Sequence, residues 1–124
     1  MRIALLVTAV ALLAAAPAQA AFHVFRSPSG KVGCAFYSDA ETPASVRCDW
    51  RGADDQAMVL RETGRARLRH VTDTVMNPEA KVLRYGRSMT FRRLKCVSRR
   101  LGMTCRSLAS GHGFRVSVEK QETF

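Results

Sequence analysis

The stretch Lys31-Val32-Gly33-Cys34-Ala35-Phe36-Tyr37, followed after a polar loop by Ser45-Val46-Arg47-Cys48-Asp49-Trp50, decides how this chain folds. In the first run Val32, Cys34 and Phe36 alternate with Gly33, Ala35 and Tyr37; in the second Val46, Cys48 and Trp50 alternate with Arg47, Asp49 and Arg51. Successive side chains of a strand point to opposite faces, so a period of two sets both cysteines on the apolar face of a strand. The other two cysteines read as a hairpin. A turn centred on Arg100-Leu101 places Cys96 opposite Cys105 and Lys95 opposite Arg106. Four cysteines allow three pairings; this pattern selects Cys34–Cys48 and Cys96–Cys105. Loops of that size are each worth about 3 kcal/mol in the chain-entropy account. The spacings, thirteen and eight intervening residues, match neither the closely spaced pairs of a structural zinc site nor a C-x-x-C redox motif. No cofactor is assigned.

Working outward, residues 22–26, 57–62, 65–71, 81–85, 88–98, 103–108 and 114–119 read as further extended stretches with turn signals between them. Ser27-Pro28-Ser29-Gly30 reads as a turn and Thr63-Gly64 as a tight hairpin. No segment holds a helical period. The sequence therefore predicts an all-β fold, a small disulfide-stabilised antiparallel sandwich or partly open barrel.

The chain opens with Met1-Arg2 and an apolar run over residues 3–13, followed by Pro17 and Ala18-Gln19-Ala20. These are the three parts of a secretory signal. The run is shorter than the roughly 20 apolar residues of a membrane span, and no cysteine at the cleavage point offers a lipid anchor. The expected organisation is a signal peptide over residues 1–20 and one β domain over residues 21–124, periplasmic or secreted. A domain this small buries too little surface for ample stability, and disulfides are the usual remedy in an oxidising compartment.

The chain carries 20 Lys plus Arg against 10 Asp plus Glu, a formal net charge of +10. Arg65, Arg67 and Arg69 share one strand face, while Ala66, Leu68 and His70 share the other, where His70 reads as a core histidine. With Lys95 opposite Arg106, these five cations are the candidate anion-binding residues, and the sequence leaves open whether they form one patch. Like charges opposed on a sheet destabilise it unless they are well hydrated or held near something acidic. The expected role is a non-catalytic binding module for an acidic partner: an anionic envelope polysaccharide, lipid head groups, extracellular DNA or an acidic protein. Export removes intracellular nucleic acid from consideration, and the aromatics are too few for a stacking platform. The alternative role is a protein inhibitor of a hydrolase, inserting the turn Ser110-Gly111-His112-Gly113-Phe114.

The glycines of that turn permit a positive φ or a close backbone approach. No set of nucleophile, base and orienting group stands out, and Asp73 with Glu79 does not form a catalytic carboxylate pair. The chain reads as no enzyme. One metal alternative remains at the front. After cleavage the chain would begin Ala21-Phe22-His23, whose amine, amides and imidazole can wrap Cu(II) or Ni(II) in a square plane. Strand pairing of the same amides competes with it.

Taken together, several motifs resemble an uncharacterised family of small exported bacterial proteins. They are the run from Phe25 through Ser27-Pro28-Ser29-Gly30 to Cys34, Val46-Arg47-Cys48-Asp49, Asp73-Thr74-Val75, Leu83-Arg84-Tyr85-Gly86, the pair Cys96 and Cys105, and Ser110-Gly111-His112-Gly113-Phe114. The resemblance implies an exported domain but no activity. It also implies that a third cysteine pair is replaced here, with His70 in an inward position of the lost bridge and its partner near residues 54–56.

Overall fold

A computed structural model describes residues 3–4, 6–14 and 19–124. Its eleven strands are β1 (Ala21–Arg26), β2 (Val32–Ser38), β3 (Ser45–Trp50), β4 (Gln56–Arg61), β5 (Arg67–His70), β6 (Lys81–Val82), β7 (Ser88–Phe91), β8 (Leu94–Arg99), β9 (Gly102–Ser107), β10 (Gly113–Val116) and β11 (Gln121–Thr123). They form two open sheets, ordered β5-β4-β3-β2-β1-β6 and β11-β10-β9-β8-β7. Neighbours run antiparallel except β1 and β6, whose short pairing is parallel. The fold is the expected all-β sandwich. Among the described residues no helix is long and apolar enough to cross a membrane.

Alternation builds the core. Phe25, Phe36, Val46, Met58 and Leu60 of the first sheet meet Leu94, Met103, Phe114 and Val116 of the second, all essentially without exposed surface. Phe36 packs on Phe25 and stacks on Phe91, with ring centroids 5.0 and 5.5 Å away. Cys34 lies opposite Cys48, and Cys96 opposite Cys105. Each pair is bonded, at 2.07 and 2.11 Å. The sulfurs of Cys48 and Cys105 lie 3.9 Å apart, so the two bridges touch across the gap between the sheets.

The outer face of the six-stranded sheet is partly roofed by residues 72–80. Asp49 is buried, and its carboxylate accepts hydrogen bonds from the Arg47 guanidinium, the Thr74 hydroxyl and the Val75 N–H. Gly33 allows this roof to come close. A Cβ at that position would meet the Met76 Cα at 3.0 Å.

Several expectations need correction. The run 88–98 is two strands, because Arg92 and Arg93 turn the chain back so that Phe91 faces Leu94. Thr63-Gly64 is part of a wider loop rather than a tight hairpin: Val59 pairs with Arg67, while Leu60 and Arg61 continue the ladder on β3 alone. Extended pairing around residue 81 covers only Lys81–Val82, and residues 121–123 add a strand that the sequence reading missed. His70 is no core histidine. Its side chain is 73% exposed; β5 is the last strand of its sheet and, among the described residues, is laddered to β4 alone. Its inward parity is real, and it pairs with Gln56 in the region expected for the lost bridge. In the expected signal segment, residues 6–14 are irregular and exposed, whereas Met1, Arg2, Leu5, Pro17 and Ala18 lie outside the described residues.

Candidate functional site

Strand β5 sets Arg67 opposite Val59 and Arg69 opposite Ala57, on the outer face of its sheet. Arg61 follows Val59 by two residues and projects from the same face. The connecting loop bends at Gly64, whose φ of +84° is one that other residues rarely adopt, and it brings Arg65 back beside them. The result is a depression of about 260 Å³ lined by Arg61, Arg65, Arg67 and Arg69 together with Val59, Thr63 and Gly64. Among the described residues, none of the four guanidinium groups is ion-paired. Glu62, the carboxylate next in sequence, is occupied at the other sheet: its Oε1 accepts the Arg93 N–H at 3.1 Å and its backbone carbonyl accepts the Ser107 hydroxyl at 2.6 Å. These bonds fix the base of the loop.

Arg47 shows the contrasting fate of an arginine. It pairs with Asp49 and Asp73, each at 2.9 Å. Burial opposes its charge, but the two carboxylates outweigh that and raise its pKa; in return Arg47 lowers that of Asp73. Arg47 is committed to holding the roof, whereas the four arginines around β5 keep their donors free. Guanidinium donors form a planar fork that matches carboxylate or phosphate in bidentate fashion.

Lys95 and Arg106 do face each other. They line a second depression of about 280 Å³ with Val97, Arg99, Thr104 and Phe124 on the outer face of the five-stranded sheet. The structure therefore does not bring the five expected cations together: Arg65, Arg67 and Arg69 lie on one outer face of the sandwich, Lys95 and Arg106 on the opposite one. The sequence reading missed Arg61. Arg61 was legible from its two-residue spacing to Val59; the misread hairpin hid it. Phe124 is held by backbone hydrogen bonds to Gly113 in both directions, at 2.9 and 3.0 Å.

In the turn before β10, Gly111 has φ +77°, while a Cβ on Gly113 would fall 2.4 Å from the Cys105 carbonyl oxygen. One glycine supplies the positive φ and the other the close approach. The Ser107 Oγ accepts the N–H groups of Ala109 and Ser110 at 3.2 Å, and the Ser107 N–H donates to the His112 carbonyl at 2.8 Å. His112 is half-buried on this compact turn. His23 lies in the β1 ladder opposite Phe36. Consecutive strand amides point to opposite sides, so a square-planar metal site there would require this part of the ladder to open. Among the described residues, no three His, Cys, Asp or Glu side chains cluster as metal ligands.

No curated protein and no solved structure matches the chain. The family of unknown function DUF6636 matches residues 40–124, from the loop before β3 to the final residue. That span holds every part of both basic surfaces and both cysteines of the β8–β9 hairpin, and the chain belongs to this family.

Proposed function

We propose that this protein is an exported, non-catalytic binding module that engages an acidic partner of the cell envelope or exterior through Arg61, Arg65, Arg67 and Arg69. The observation that carries the reading is the convergence of four unpaired guanidinium groups on one depression. Crowding like charges without a carboxylate costs stability, and an acidic ligand removes that cost while using the free donors. Export is supported by the two fully buried disulfides, which persist in oxidising compartments, and by the signal-like apolar sequence over residues 3–13.

The test is binding of labelled polyglutamate and of a polyuronate oligosaccharide, followed by fluorescence anisotropy across a salt series. Affinity is expected to fall steadily as salt rises toward about 0.15 M, where screening acts within about 8 Å. Arg67→Glu with Arg69→Glu should weaken binding at least about tenfold, or 1.4 kcal/mol. Lys95→Glu with Arg106→Glu, on the opposite face, should weaken it less. Absence of binding at low salt, or affinity indifferent to salt, overturns the reading.

A further inference from the structure

We propose that the free edge of β5 takes up an extended acidic peptide as an added strand of the six-stranded sheet. The inference rests on the reading of the arginine surface given above and names the ligand class: a protein segment that alternates acidic and apolar residues.

Three features of β5 meet at one place. It ends its sheet, with β4 on one side and, among the described residues, no strand on the other, so its outer edge presents backbone N–H and C=O groups ready for a further ladder. All four of its residues are exposed. They also alternate in chemistry. Arg67 and Arg69 point to the outer face, beside the depression that Arg61 and Arg65 complete. Leu68, opposite Met58, points to the other face and remains 52% exposed. A guest strand laid along this edge sets its side chains about 5 Å from their neighbours in β5. Acidic residues two apart would then stand beside Arg67 and Arg69, and the apolar residue between them would cover Leu68.

Other occupants use the edge less well. A polysaccharide would engage the arginines but leave the backbone groups and Leu68 unused. A second copy paired antiparallel through β5 would set one arginine row against another, and like charges directly opposed are destabilising. The other sheet ends do not offer this pattern: β6 and β11 are two and three residues long, and β7, Ser88-Met89-Thr90-Phe91, carries no charge.

The probe is a short peptide alternating valine and glutamate, with two comparators: the same peptide N-methylated at every amide, and polyglutamate. The parent peptide should bind at least about tenfold more tightly than its N-methylated form and slow hydrogen exchange at residues 67–70. Arg67→Glu with Arg69→Glu should lose this peptide and gain one that alternates valine and lysine. These positions are exposed, so the variant should fold, which far-ultraviolet circular dichroism checks. If the parent and N-methylated peptides bind equally, or polyglutamate binds and neither peptide does, strand addition is overturned while the acidic-partner reading stands. If none of the three binds, both fail.

Discussion

Ser98 sits on the inward face of β8 with no exposed surface, and its hydroxyl has no hydrogen-bond partner among the described residues. A buried hydroxyl without a partner costs on the order of 1–3 kcal/mol in desolvation. Ser98→Ala removes that cost and leaves almost no void. The urea midpoint of unfolding should rise, by about 1 kcal/mol in stability; a clear loss would mean that the hydroxyl is satisfied in solution. Asp39 makes the opposite argument. The Tyr37 hydroxyl and the N–H groups of Glu41 and Thr42 donate to its carboxylate, which lowers its pKa to about 2. A carboxylic acid lowered in this way binds its proton less readily folded than unfolded. Its contribution to stability is complete above the unfolded value near 3.8, declines as the pH falls, and is gone once the pH passes below about 2. Carboxyl-carbon NMR should show Asp39 titrating near 2, and a midpoint near the unfolded value would refute the triple donation. The same bond raises the Tyr37 pKa, so Asp39→Asn should bring the Tyr37 titration back down.

At the scale of elements, the β7–β8 hairpin shows what sequence patterning can and cannot reveal. Met89 and Phe91 face inward, and so do Leu94, Cys96 and Ser98. The inward positions change parity between Phe91 and Leu94, which is the trace of a two-residue turn. It is easily missed because Arg92 and Arg93 carry none of the usual turn chemistry. Arg92 has φ +54°, a conformation that costs a residue with a Cβ about 1–2 kcal/mol. Its guanidinium lies 5.6 Å from the Phe91 ring centre, a partial compensation worth about 0.5–1 kcal/mol at an exposed site. Arg92→Gly should therefore raise the melting temperature modestly, while Arg92→Ala keeps the strain, loses the ring contact and should lower it. An alanine variant as stable as the glycine one would remove strain from the account. The disulfide-bearing strands were legible because each bridge joins sequence neighbours whose alternation is strict. Placement of the cations was not. Outward parity is the same for Arg67 and Lys95, and only the assembly of two sheets decides that they face opposite ways. His70 failed for a related reason: its parity is correct, but exposure depends on how far the opposing sheet extends.

For the whole molecule, the question is what makes two open sheets behave as one unit. Each bridge closes a short loop within a single sheet, worth about 3 kcal/mol through the unfolded chain alone. On that account the two contributions would be independent and removal would be additive. The contact between Cys48 and Cys105 sulfurs, 3.9 Å at the centre of the interface, adds a second effect. Replacing either bridge by a pair of alanines takes away packing that the other bridge's sulfur depends on, and residues in contact commonly show coupling energies of 0.5–3 kcal/mol. The cycle to measure comprises the parent, Cys34→Ala with Cys48→Ala, Cys96→Ala with Cys105→Ala, and all four replacements. Because the fourfold variant approaches the whole stability of a small domain, about 5–15 kcal/mol, it should be followed in a stabilising osmolyte common to all four proteins. The expected outcome is a coupling of at least about 0.5 kcal/mol, accompanied by loss of near-ultraviolet signal from Trp50, which packs in the same core. Additivity within about 0.3 kcal/mol would mean instead that the sheets hold together through their aromatic and aliphatic side chains, with each bridge acting on its own hairpin alone.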